Sequence, residues 1–342
     1  MSKIIIFIAS LFLFILALTL MQQGARALTP LVHEYLSAAA PARSLGLGWL
    51  GAYLLLSGSP VAAAALTFFD AGALDGWSTF MMITGSRLGA SLTVFFLGFL
   101  YVLRGRNRTD SLSMGLLSLS VTGVTHFFGI FVGLALLEGG WLNRFQLRSG
   151  YMLSTIFDRI FAPLAHALAE PFPVWASFFL GLGIILVSFN FFDRALPQLT
   201  IKESQVGQVA QFVYRPWVML ALGAGITLIS MSVTVSLGIL VPLNDRGFIR
   251  RENVIPYMMG ANITTFIDTL LAAVLLDNPA AFTVVMAEMV SIALISALIL
   301  LTAYRRFEMM LLDFVTWTTA SNRNLTLFVL SIVFVPFALI LL

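Results

Sequence analysis

Nine stretches of this chain are apolar and long enough to cross a bilayer, near residues 4–21, 46–69, 79–103, 112–137, 173–193, 217–243, 254–276, 280–303 and 325–342. A hydrocarbon core takes about 20 consecutive apolar residues per helix. Charge is confined to short clusters between these stretches. A tenth segment, 151–169, is weaker because Asp158 and Arg159 interrupt it. Of the 342 residues, 59% are hydrophobic and only 10% charged, too little polarity for a water-covered domain. The pattern predicts an all-α polytopic membrane protein.

Residues 1–21 admit two readings. Lys3, an apolar run from Ile4 to Leu20 and Ala25-Arg26-Ala27 have the order of a signal peptide with its cleavage site. The run is long for that purpose, so a retained helix is expected.

The chain carries a net charge of +3. Its basic residues stand in loops between apolar segments, as topology determinants do, and no basic patch with interleaved aromatics suggests nucleic acid. With ten crossings and an outside N-terminus, eleven Lys and Arg fall on the inner side and six on the outer, with Arg87 and Arg159 inside spans. No cysteine is present, which excludes disulfides and thiolate metal sites. The three histidines, His33, His126 and His166, lack metal-ligand spacing. Neither a nucleotide-binding nor a hydrolase motif occurs, and no nucleophile–base constellation suggests an enzyme. No cofactor is expected.

Shifting the sequence by 175 residues lays 57–91 on 232–266 without a gap. Ser57 meets Ser232, Asp70 meets Asp245, Gly72 meets Gly247 and Gly85 meets Gly260. Both copies show a polar break in an apolar helix, an acidic turn, and a glycine-led polar break in the following helix. The intervening loops differ in charge: 70–76 has no basic residue and 244–252 has three. They are expected on opposite faces of the membrane, which makes the repeat an inverted one. Secondary transporters commonly have this architecture, with discontinuous or re-entrant helices meeting near the midplane. The expected organisation is a first repeat over 1–140, a connecting segment over 141–172 with one further candidate span, and a second repeat over 173–342.

The second copy contains Gly-Ala-Asn-Ile-Thr-Thr at 260–265, with Pro242, Gly247, Glu252 and Pro256 before it. In this pattern the chain resembles the type II sodium/phosphate cotransporter family, including its bacterial members. That family has two Gln-Ser-Ser-Ser segments, each followed by a Gly-Ala/Ser-Asn-Ile-Gly-Thr-Thr segment. The first copy offers Gly72 and GSRLGAS at 85–91. There are departures. Leu56-Ser57-Gly58-Ser59 and Met231-Ser232-Val233-Thr234 replace both Gln-Ser-Ser-Ser segments, and Arg87 replaces the first Asn. The resemblance implies a small-anion transporter of the bacterial inner membrane, most concretely a symporter of inorganic phosphate with Na⁺ as coupling ion. The alternatives are a sodium-independent anion channel or exchanger in which Arg87 replaces the coupling ion, and a non-transporting scaffold or sensor.

Ser57, Ser59, Ser91, Ser232 and Thr234 are candidate ligands, since hydroxyls donate to anions and accept from cations; each also has the bland role of bonding to its own helix. Asn262, Thr264 and Thr265 sit in the retained motif, and an amide in hydrocarbon needs partners. Arg87 lies inside an apolar stretch, where an arginine marks a pathway or an internal ion pair. Asp268 is its candidate partner or a cation ligand, and Glu288 is a further intramembrane carboxyl that could hold a cation or a proton. His126, beside Phe127 and Phe128, is expected to be packed and hydrogen-bonded.

Overall fold

A computed structural model describes residues 3–36, 41–103, 108–147, 151–195, 215–238, 240 and 251–342. The described residues are helical, without strands. In chain order the helices are α1 (Lys3–Leu36), α2 (Pro41–Leu55), α3 (Ser59–Asp70), α4 (Gly76–Leu103), α5 (Arg108–Glu138), α6 (Tyr151–Ala169), α7 (Ala176–Ala195), α8 (Pro216–Ser230), α9 (Val233–Gly238), α10 (Arg251–Thr264), α11 (Ile267–Leu275), α12 (Pro279–Leu298), α13 (Tyr304–Ala320) and α14 (Asn322–Leu341), with a π-helical turn at Ile299–Ala303. Seven segments are long and apolar enough to span a bilayer: Lys3–Tyr35, Gly76–Leu100, Leu112–Glu138, Ala176–Ala195, Arg251–Leu275, Pro279–Ala320 and Asn322–Leu341. The chain is a multi-pass membrane protein.

Two expected spans are something else. Residues 46–69, and 217–238 of the segment expected over 217–243, are not single helices: each holds two helices joined by a tight turn; residues 241–243 lie outside the described residues. Helix α2 ends at Leu55, Leu56 adopts φ 50°, and α3 starts at Ser59. Pro60 causes the break: its ring would clash with the carbonyl of residue 56 in a continuous helix, and it suits the first turn of a new one. Gly51 faces Val61 at 3.3 Å from an added Cβ, so the two arms run back to back. The second hairpin turns at Met231, φ 49°. There the hydroxyl of Thr227 donates to Ser236 Oγ at 2.7 Å, and Ser236 is also 2.8 Å from the Tyr257 hydroxyl of α10.

Glycines dock each hairpin onto its following helix, and they do so at matching positions. Gly85 on α4 lies against Leu45 and Trp49 of α2, and an added Cβ would meet Trp49 N at 2.9 Å. Gly260 on α10 lies against Leu220 and Ala224 of α8, with Ala224 N at 2.8 Å. Gly48 abuts the Met82 carbonyl as Gly223 abuts the Tyr257 carbonyl. Small residues allow such backbone approach in membrane helix pairs. This explains a second correction: Gly85 introduces no break. Helix α4 runs unbroken through 85–91, because the glycine serves packing rather than a turn. In the other copy the helix does break, at Thr265-Phe266, where Gly-Ala-Asn-Ile-Thr-Thr ends.

The remaining helices enclose this centre. Helix α1 packs antiparallel to α7: Gly24 lies against Phe178, Ser188 Oγ donates to the Ser10 carbonyl at 2.7 Å, and the rings of Phe7 and Phe192 meet edge-on at 5.6 Å. Phe14, Leu20, Met21 and Ala25 are buried, so α1 is built into the core. The weak segment 151–169 is the helix α6, which is not among the seven candidate spans. Residues 304–320, expected as loop, continue α12 as helix. The 244–250 part of the basic loop lies outside the described residues.

Leucine at Gly223 would push the Tyr257 backbone away from α8. We expect Gly223→Leu to cost about 3 kcal/mol or more, lowering the thermal unfolding midpoint in detergent. Gly225→Leu, whose Cβ meets open space, should leave that midpoint nearly unchanged.

Candidate functional site

The tips of both hairpins open onto one cavity of about 70 Å³. Ser57, Gly58 and Ser59 come from the first tip, and Met231, Ser232 and Val233 from the second. Helix α4 adds Arg87, Ala90 and Ser91; α5 adds Thr122; Asn262 and Thr265 come from the Gly-Ala-Asn-Ile-Thr-Thr segment; and α7 supplies Phe189 and Asp193 at the mouth. At about 10–15 Å³ per water-sized centre, this is room for several waters or one small polyatomic ion.

Arg87 is 5% exposed and lies between the two halves of the chain. Its Nη1 donates to Ser59 Oγ at 3.2 Å and to Thr265 Oγ1 at 3.4 Å. Its Nη2 donates to Asp268 Oδ1 at 3.3 Å and to Thr269 Oγ1 at 2.5 Å. The guanidinium carbon lies 4.9 Å from the centre of the Phe266 ring, within cation–π range. Asp268 is 2% exposed, and its Oδ1 also accepts from the backbone N–H and the hydroxyl of Thr269, at 2.6 and 2.9 Å. The helix break at 265–266 makes this possible: it frees a turn of backbone and aims Thr265, Asp268 and Thr269 at one point. Arg87 Nε and Asp268 Oδ2 remain without protein partners.

Asn262 occupies the position 175 residues after Arg87. Its Nδ2 donates to Thr122 Oγ1 at 3.1 Å. Matching positions of the two copies thus present a guanidinium and an amide to one cavity. Deeper in the bundle, the Glu288 carboxylate accepts a hydrogen bond from the Thr84 hydroxyl. His126 is buried, with Nδ1 2.9 Å from the Thr122 carbonyl, Nε2 unpartnered and the ring 6.2 Å from that of Phe266.

Of the residues expected at a site, Ser57, Ser59, Arg87, Ser91, Ser232, Asn262 and Thr265 line the cavity. Ser91 Oγ donates to the Leu88 carbonyl at 2.6 Å, the bland role of a helical serine. Two expected residues lie elsewhere. Thr264 faces away, donating to the Ala224 carbonyl at 2.8 Å, so it ties α10 to α8. Asp268 lies behind Arg87 rather than on the cavity wall. The side chain of Thr234 falls outside the described residues. Thr122, Thr269, Phe266, Phe189 and Asp193 were not expected. Thr269 and Phe266 had a local signal, following Asp268 and Thr265 directly; Thr122, Phe189 and Asp193 reach the site only through packing distant in sequence. Among the described residues, no cluster of His, Cys, Asp or Glu could hold a metal ion.

A second cavity of about 340 Å³, lined by Trp49, Leu88, Leu119, Met310, Phe314 and Phe328, is almost wholly apolar. Ser91 borders both cavities.

Comparisons with protein-family models, curated proteins and solved structures give no match for this chain.

Removing one member of a buried ion pair strands the other, at a cost of about 3–5 kcal/mol. Arg87→Met and Asp268→Leu should each destabilise the protein by that order, and the double variant by clearly less than their sum. Thermal unfolding of the four proteins in detergent measures the coupling; additive effects would count against the pair.

Proposed function

We propose that this protein is a secondary transporter of a small anion. The observation that carries the reading is the convergence of two helical hairpin tips on one buried, hydroxyl-rich cavity bordered by Arg87. Ser57, Ser59, Ser232, Thr122 and the Asn262 amide offer neutral donors, and the guanidinium offers a charge. Helix α3 begins at Ser59 on the cavity wall, so its N-terminal partial positive charge favours an anion there. Inorganic phosphate is the first substrate to test, since the resemblance in the Gly-Ala-Asn-Ile-Thr-Thr segment implies it.

The two hairpins are re-entrant in this reading, and the halves form an inverted repeat. A hairpin that enters and leaves on one face changes the parity of the chain. With the N-terminus inside, Lys3, Arg104, Arg106, Arg108, Arg194, Lys202, Arg215, Arg246, Arg250, Arg251, Arg305, Arg306 and Arg323 fall on the cytoplasmic side, against Arg26, Arg43, Arg144, Arg148 and Arg159 outside. This positive-inside bias is stronger than that of ten crossings with the N-terminus outside. Contacts agree with the assignment. Asn278 Nδ2 donates to Asp70 at 3.0 Å and Gln146 reaches Thr283 at 3.5 Å on the outer side, while the Tyr304 hydroxyl reaches the Glu252 carbonyl at 3.1 Å on the inner side. The first hairpin then enters from outside and the second from inside, as alternating access by inverted repeats requires.

The resemblance implies sodium-coupled symport. The surroundings of Arg87 favour the sodium-independent form. Oxygens of Ser59, Thr265, Asp268 and Thr269 converge on the guanidinium. Hard cations favour such a shell of oxygens, and here a tethered cation fills it.

Purified protein in proteoliposomes should take up radiolabelled phosphate saturably, with choline in place of sodium as well as with sodium. Absence of flux for phosphate, sulfate and small carboxylates would defeat the transport reading. Asn262→Ala removes a hydrogen-bond donor to a charged ligand, worth about 1.5–3 kcal/mol, so uptake at low substrate should fall by about ten- to a hundredfold. Arg87→Asn empties the oxygen shell. A folded, transporting Arg87→Asn protein is expected to gain a sodium dependence, and an unchanged sodium response would sink the tethered-cation idea.

A further inference from the structure

Glu288 is buried in the middle of α12 at 1% exposure, and its carboxyl takes a hydrogen bond from the Thr84 hydroxyl. An ionised carboxylate at such a site is costly unless paired with a cation. The titratable and charged groups on the elements packed against this part of α12 are few. Helix α4 brings Arg87, one turn beyond Thr84. Helix α5 brings His126; its Gly129 lies against Ile292 of α12. Helix α11 brings Asp268. Helix α10 presents Asn262 and Tyr257, the latter bonded to Ser236. Helix α3 carries no charge before Asp70, which is held at its far end by Gln22 and Asn278. One guanidinium therefore stands near two carboxyls, and all its Nη donors go to Ser59, Thr265, Asp268 and Thr269. No ion pair to Glu288 occurs among the described residues.

The geometry points to Glu288 as the proton-binding group that couples anion movement to a proton gradient. This deepens the transport reading and rests on it. A proton taken from the aqueous side converts the carboxylate to the neutral acid, and its release on the opposite side restores the carboxylate. With the proton in place, the cluster of Arg87, Asp268 and Glu288 is neutral and the cavity accepts an anion. Without it, the cluster carries a net negative charge beside the cavity, and Arg87 is drawn toward two carboxylates instead of one. Thr84 makes the connection: it holds Glu288 from the same helix that carries Arg87 to the cavity wall. Intramembrane carboxyls commonly serve as proton relays in carriers, and this one is tied to the half of the protein opposite its own.

The test uses wild type, Glu288→Gln and Asp193→Asn in proteoliposomes with labelled phosphate, without sodium. For one proton per singly charged anion, an inward gradient of about one pH unit is expected to drive about tenfold accumulation in wild type. Glu288→Gln keeps the shape and a hydrogen bond to Thr84; it should lose gradient-driven accumulation yet retain phosphate–phosphate exchange. Wild-type uptake indifferent to the gradient, or accumulation persisting in Glu288→Gln, overturns the inference. So does loss of coupling in Asp193→Asn alone, which would assign the proton to the cavity mouth. A wild type without any anion flux defeats the transport reading instead. A separate measurement then still bears on Glu288: the infrared carbonyl band of a protonated carboxylic acid in the wild type minus Glu288→Gln difference spectrum at neutral pH. Its absence overturns the assignment whatever the flux shows.

Discussion

A guanidinium enclosed by apolar helices is tolerable only where oxygen surrounds it, and here the oxygen comes from both halves of the chain. Ser59 lies at the first hairpin tip, Thr265, Asp268 and Thr269 around the break between α10 and α11, and Arg87 on α4. Each of these positions depends on another feature. The first tip is fixed by Pro60 and by the left-handed Leu56; the break in the second half releases the three oxygen donors; the glycine seams hold each hairpin close to the helix that carries its partner. Loosening any of these would leave a buried charge without its neighbours, at several kcal/mol.

The two halves are alike in construction and unlike in chemistry. Their hairpins turn at Leu56 and Met231, both at φ near 50°, and dock through glycines at corresponding positions. Left-handed backbone at a non-glycine residue costs roughly 1–2 kcal/mol and persists only where surrounding structure enforces it. Yet the matching positions 87 and 262 hold arginine and asparagine, and only the second half breaks the helix that follows its hairpin. Corresponding positions therefore present an asymmetric cavity wall, with fixed charge on one side and a neutral amide on the other.

Much of this was legible in the sequence, and the misreadings have physical causes. Polar breaks at 57–59 and 232–234 showed because hydroxyls interrupt otherwise apolar runs. That each of those runs forms two short helices rather than one did not show: two short helices in a hairpin have the same composition as one long span. Gly85 reads as a break because glycine both ends helices and lets them approach closely, and only the neighbouring Leu45 and Trp49 distinguish the two uses. The pairing of Arg87 with Asp268 was among the expected arrangements, since an intramembrane charge requires a counter-charge. Thr122 and Asp193 carried no local signal, because their helices reach the cavity through packing between residues far apart in the chain.

The pairing of α1 with α7 bears on how such a chain assembles. Helix α1 is made well before α7, yet the face that carries Phe14 and Met21 is covered by that later helix, which begins at Ala176. During synthesis that face must wait beside lipid or the insertion machinery until the segments between α1 and α7 have followed. Contacts so distant along the chain slow folding through loop-closure entropy. The antiparallel seam would accordingly close late, after the first hairpin, which lies between its two helices in the chain.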